Sequence, residues 1–259
     1  MQRSRTVISF CLFTASILVS GCAGPMKNTG SFNWPVGTAV LYSIETEQIS
    51  TAVIPMGETR TTETESAVLK VEAVDPEVFE MTIVEATRES DASEREQGER
   101  VFARTLTGLS SLVRLDDRGL IIDASDLADN PAVTDHGGSE VVIEYLQHCF
   151  LYLPEIPLKP EVEWIRDYTY AQSQTDFPLN FHHVDSFRCI GEVTIQGIPA
   201  WAIEVTSRVE LSGGSLEGNR SLSLSGEGQG IIHVARETGM LLDLESARVL
   251  DGQFWVMDQ

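Results

Sequence analysis

Trp201-Ala202-Ile203-Glu204-Val205-Thr206-Ser207-Arg208-Val209-Glu210-Leu211 is the stretch that decides the fold. Trp201, Ile203, Val205, Val209 and Leu211 fall on one face of an extended chain, and Glu204, Thr206, Arg208 and Glu210 fall on the other. That period of two is the mark of a strand with one buried face. The pattern recurs in Phe79, Met81 and Ile83, which alternate with Glu80 and Thr82. It recurs again in Val40, Tyr42 and Ile44, ahead of the polar run Glu45-Thr46-Glu47-Gln48. Turn signals punctuate the runs at Asp75-Pro76-Glu77, Asp117-Arg118-Gly119, Gln196-Gly197 and Thr238-Gly239. The chain therefore reads as mainly β, an antiparallel meander or a curved sheet.

An internal duplication is visible in the order of these features. Trp34-Pro35-Val36-Gly37 leads into a strand as Lys159-Pro160-Glu161-Val162 does, and Arg118-Gly119-Leu120-Ile121-Ile122-Asp123 resembles Thr238-Gly239-Met240-Leu241-Leu242-Asp243. The halves are expected as two similar subdomains or one continuous sheet. One helix is expected near 139–151, where Ser139 is a candidate cap and Val141, Val142, Tyr145, Leu146 and Cys149 have helical spacing. Pro154, Pro157 and Pro160 then forbid its continuation. The expected organisation is thus 33–138 as a first β-rich half, 139–160 as helix and connector, and 160–259 as a second half. The Gly/Ser-rich stretch from Leu211 to Gly230 is expected as a mobile loop flanking a short strand.

The 259 residues carry 18 Lys and Arg against 39 Asp and Glu, a net charge of −21. Phosphate backbones need a positive surface, so this balance excludes a nucleic-acid partner.

The N-terminus combines basic Met1-Gln2-Arg3-Ser4-Arg5 with an uncharged apolar run from Val7 to Val19, ending in Leu18-Val19-Ser20-Gly21-Cys22. The run is shorter than the roughly 20 residues of a spanning helix and has the layout of an export signal. Its end resembles the lipobox of bacterial lipoproteins. The resemblance implies that 1–21 is a signal peptide, that Cys22 becomes lipidated after cleavage, and that 22–32 is a lipidated tether. Ala23 follows the cysteine rather than an Asp, which implies the periplasmic face of the outer membrane if the host is Gram-negative. Several acyl chains on one residue suffice for stable anchoring, so the membrane is a partner through the lipid alone.

Cys149 and Cys189 remain after export and form a candidate disulfide in an oxidising compartment. His182-His183-Val184-Asp185 lacks a third ligand for zinc, and adjacent histidines on a strand point apart; they read as exposed histidines at a strand edge. The aspartates at 116, 117, 123, 126 and 129 lack the spacing of an EF-hand. Neither Gly213-Gly214-Ser215-Leu216-Glu217-Gly218 nor Gly226-Glu227-Gly228-Gln229-Gly230 meets a nucleophile-elbow, phosphate-loop or dinucleotide pattern. No catalytic residue, metal or cofactor is assigned.

Two functions fit this reading. The first is a non-catalytic envelope lipoprotein whose β surface contacts a protein or the cell wall. The second is a carrier or sensor that holds an apolar or lipid ligand in a curved-sheet cavity, with Phe79, Trp201, Ile203 and Val205 as its apolar face. A tethered curved sheet is similar to the half-barrel of lipoprotein carriers and to exported β-rich lipoproteins. A third reading, a hydrolase with a dispersed active site, has no local motif behind it. Cells given a clickable palmitate analogue should label the wild-type protein and leave Cys22→Ala unlabelled; equal labelling of both would remove the anchor assignment.

Overall fold

The computed structural model describes residues 6–10, 34–54, 57–90, 107–124, 143, 146–147, 149–172, 177–215, 217–218 and 220–256. Cys22 with its lipobox and tether, and the loop acids at 126 and 129, lie outside these residues. Eleven strands among the described residues are β1 (Thr6–Phe10), β2 (Ala39–Ile54), β3 (Gly57–Asp75), β4 (Val78–Ser90), β5 (Ser110–Leu115), β6 (Ile121–Asp123), β7 (Glu163–Gln172), β8 (Leu179–Ile195), β9 (Ile198–Gly214), β10 (Arg220–Ala235) and β11 (Leu241–Val256). Their hydrogen-bonded order is β6-β5-β4-β3-β2-β1-β11-β10-β9-β8-β7, with every paired neighbour antiparallel.

Two five-strand meanders, β2–β6 and β7–β11, make up this order, and β1 bridges them by pairing with β2 and β11. Their boundaries match across the chain. Asp75 and Ile195 end β3 and β8, Val78 and Ile198 begin β4 and β9, Leu115 and Ala235 end β5 and β10, and Ile121 and Leu241 begin β6 and β11, each pair 120 positions apart. The turns that feed the meanders match as well. Thr38 N donates to Pro35 O at 3.0 Å, and Val162 N donates to Lys159 O at 3.2 Å. Each turn has a residue with positive φ in third place, Gly37 at 83° and Glu161 at 69°, as a type II turn requires.

Both meanders put their alternating apolar positions into one core. Tyr42, Leu69, Val71 and Phe79 from the first pack in the same cluster as Phe187, Ile203, Val234 and Leu242 from the second. The two blocks therefore face each other, and the buried Tyr42 hydroxyl donates to Leu241 O at 3.3 Å between them. Full burial of such a side chain contributes about 1.5–3 kcal/mol. A second, smaller cluster of Val209, Leu211, Leu224 and Leu250 lies in the β7–β11 block.

The structure revises two expectations. Leu211 to Gly230 is not a loop around a short strand; it contains the end of β9, the turn after it and most of the 16-residue β10. Its glycines have a steric reason to be there. A Cβ on Gly226 would sit 1.9 Å from Val249 O, one on Gly230 would sit 2.5 Å from Glu245 O, and one on Gly252 would sit 2.0 Å from Ser223 O. Backbones this close accept only glycine, and glycine in a strand marks where a sheet can bend sharply. Of the helix expected near 139–151, Ile143, Leu146 and Gln147 are helical, whereas Cys149, Phe150 and Leu151 are not. There Cys149 N donates to Leu146 O and Phe150 N to Gln147 O, both at 3.0 Å and both three residues back. Positions 139–142, 144–145 and 148 lie outside the described residues.

Gly226→Ala should destabilise the protein in urea denaturation by about 1–3 kcal/mol or more, the usual cost of forced overpacking. Gly218→Ala, where an added Cβ meets nothing within 4 Å, should cost less despite its positive φ.

Candidate functional site

Inward-facing positions of the β7–β11 block form a concave wall, and register aligns its rows. Arg166 pairs with Asp185, Asp185 with Ser207, Ser207 with Gly228 and Gly228 with Arg248. This row crosses all five strands between the two apolar clusters. On one side Trp164, Phe187 and Val205 belong to the main core, and on the other Val209 and Leu250 belong to the smaller one. Glycine at 228 adds no side chain to the middle of the row.

Space remains there. A cavity of about 300 Å³ is lined along the polar row by Arg166, Asp185, Ser207, Gly228 and Arg248, and by apolar Phe187, Val205, Ile232 and Leu244 beside it. Phe150, Leu151 and Tyr152 of the connector close one side, and Thr46 and Glu65 of the first block reach it as well. The connector is fixed where it lies. Gln147 Nε2 donates to Gly119 O at 2.8 Å while its Oε1 accepts from Ile121 N at 2.9 Å. Arg118 Nε donates to Leu153 O at 2.9 Å, and Trp164 Nε1 donates to Tyr152 O at 2.6 Å.

Charges within the wall are unevenly satisfied. Asp185 is buried and accepts the Ser207 hydroxyl at 2.6 Å. Although Arg166 is opposite Asp185 in register, its guanidinium carbon lies 3.8 Å over the Tyr168 ring and 6.0 Å from the Tyr152 ring. Its Nε is buried without a hydrogen-bond acceptor. Beyond it, aromatic rings stack in series: Tyr168 on His183 at 5.0 Å and Tyr170 on Phe181 at 4.5 Å. Ser207, Asp185 and His183 share this wall, but the serine donates straight to the aspartate and the histidine stacks on tyrosine. That order does not set an imidazole between nucleophile and acid as a Ser-His-Asp triad does.

The residues singled out from sequence are distributed as follows. Val205 lines the cavity. Phe79, Trp201 and Ile203 are buried in the packed core instead, Phe79 edge-on to Trp34 at 5.3 Å and Trp201 beneath the Arg236 guanidinium at 4.9 Å. Where the two blocks face each other their side chains fill the concavity, so the inward face at that end is core and not wall. His182 and His183 do point apart, but β8 is an interior strand and only His182, half-buried, reaches solvent. His182 Nε2 lies 2.9 Å from Asp167 Oδ1, and His183 is buried. Among the described residues no three His, Cys, Asp or Glu side chains group as a metal site.

Cys149 and Cys189 are both buried free thiols, so the expected bridge is absent from the structure. They occupy different surroundings. Cys149 sits by Tyr42 in the core, and Cys189 accepts a backbone hydrogen bond from Gly191 at the β8 bulge. Burial pushes the Cys149 thiol far above its ordinary value, raises Cys189, and raises Tyr42 with help from nearby Cys149.

Arg166, Arg248, Ser207, Tyr152 and Tyr168 had not been singled out. For Ser207 the signal was a polar residue at an inward position of an otherwise apolar alternation, between Val205 and Val209. No protein-family model matches the chain, and no curated protein matches it.

A thiol that holds its proton in the fold contributes stability that is complete below the unfolded thiol's pKa of about 8.5 and is lost as pH rises toward the folded value. Urea stability should therefore decline from about pH 8.5 to about pH 10, and Cys149→Ala should flatten that decline relative to its own value at neutral pH. Parallel pH profiles of the two proteins would contradict this.

Proposed function

We propose that the protein is a lipid-anchored envelope protein that binds a small apolar or amphipathic ligand as a carrier or sensor, without catalysing a reaction. The supporting observation is the cavity of about 300 Å³ in the concave wall, at the small end of the range for small-molecule sites and largely preformed as such sites are. A β surface serving only to contact a protein or the cell wall needs no hollow behind it, and packing to ordinary density would fill one. Phe187, Val205, Ile232 and Leu244 supply the apolar lining, and the pinned connector gives the site a fixed roof.

The lipobox resemblance supports anchoring through Cys22 and, with it, a ligand site outside the cytoplasm. Cleavage before Cys22 would also take Thr6–Phe10, the strand between β2 and β11. The shared core and the Tyr42–Leu241 hydrogen bond would then hold the two meanders together. The acidic balance of 39 Asp and Glu against 18 Lys and Arg keeps such a domain off anionic head groups while its anchor holds the membrane.

The neutral fluorophore N-phenyl-1-naphthylamine should bind saturably at one site with near-UV CD unchanged, which separates binding from molten-state uptake. Val205→Trp, filling the cavity, should weaken that binding about tenfold or more. A folded protein that takes up no probe would favour the contact-surface reading.

A further inference from the structure

We infer that the cavity selects an amphiphile with a single anionic head, a carboxylate or a phosphate monoester, held by Arg166 and Arg248 while its apolar body lies against Phe187, Val205, Ile232 and Leu244. The inference rests on the ligand-binding reading above and names the chemistry of the ligand.

This acidic chain pairs several of its arginines with carboxylates. Arg118, Arg188 and Arg236 have carboxylates at 3.0, 3.7 and 2.6 Å, from Glu155, Glu161 and Glu192. With 39 acidic residues available, pairing a guanidinium is easy. Arg208 and Arg220 lack a carboxylate partner among the described residues but stand exposed to water. The two arginines lining the cavity are half-buried and also have none within ion-pair reach among the described residues, and Arg166 keeps a buried Nε without an acceptor. A buried donor left unsatisfied is costly, and an anionic oxygen from a ligand would recover that cost.

Register puts the two cations at opposite ends of one row, Arg166 on β7 and Arg248 on β11, separated by Asp185, Ser207 and Gly228. Asp185 offsets part of that charge, but its carboxylate is turned to the Ser207 hydroxyl, and Arg166 is turned away from it over Tyr168. Glu65, the other acid on the lining, already has an interaction of its own. Asp185 balances one of the two guanidinium charges on the lining, which leaves one positive charge for an anion. The flat face of Tyr168 holds the Arg166 guanidinium in place, and a planar guanidinium donates two parallel hydrogen bonds to a carboxylate or phosphate. The apolar residues lie to one side of the polar row, so head and body have separate places.

Isothermal titration of the full-length protein with decanoate, decyl phosphate and 1-decanol, each below its aggregation concentration, tests this. At least one anion should bind at least about tenfold more tightly than decanol, and the tighter anion identifies the head group. Arg166→Gln and Arg248→Gln should each weaken anion binding by roughly tenfold or more and leave decanol binding unchanged, while Arg166→Lys should retain part of the affinity. If Arg166→Gln loses its near-UV CD, the wild-type ligand series and Arg248→Gln still decide. Decanol binding as tightly as both anions, or anion binding indifferent to both glutamine variants, would overturn the inference and leave the apolar site standing. Binding of none of the three to the folded protein would overturn the ligand-binding reading with it.

Discussion

Close contact between the backbones of β10 and β11 governs the shape of the second meander. At Gly226, Gly230 and Gly252 the neighbouring chain occupies the place where a Cβ would be, with carbonyl oxygens 1.9, 2.5 and 2.0 Å from it. In ordinary paired strands each Cβ projects out of the pleat and clear of the partner's backbone. Removal of side chains at alternate inward positions lets the pair coil tightly, so the wall curves, and also takes bulk away from the inner surface. The same substitution thus bends the sheet and leaves Gly228 in the middle of the cavity row without a side chain to fill it.

The two meanders share a plan but not a size. β5 and β6 have 6 and 3 residues, whereas β10 and β11 have 16 each. The extra length carries the second wall past the shared core to the smaller apolar cluster of Val209, Leu211, Leu224 and Leu250, with the polar row and its cavity in between. The first meander supplies the facing half of the core and the turn at Arg118–Ile121 to which the connector is bound. Equivalent strand ends at a constant spacing, with five strands in order on each side, give the internal repeat a structural basis beyond local sequence likeness.

How far the site was legible can be followed through β9. The series Trp201, Ile203, Val205, Val209 and Leu211 announced one buried face, and that face is buried. The interruption at Ser207 was in the same series. It acquires meaning only when Asp185, Arg166 and Arg248, from strands distant in the chain, are found in its row. Alternation identifies a face but not which part of it meets another layer. Trp201 and Ile203 therefore proved to be packed core, while Val205, one step along, lines a hollow. The glycines of β10 misled for a related reason: locally they weaken a strand, and only the partner strand's backbone shows why they are there.

By itself the sequence determined the strand-rich class and the turns between strands, because period and turn chemistry are written in neighbouring residues. It also carries the N-terminal pattern on which the proposed anchoring rests, since that pattern depends on composition and order alone. Only the tertiary structure decided that the halves face each other, that Cys149 and Cys189 are buried as free thiols, and that two arginines without acidic partners among the described residues share a cavity with Asp185 and Ser207. These depend on strand register and on the curvature allowed by missing side chains. Register joins residues tens of positions apart, so no local window of the sequence contains it.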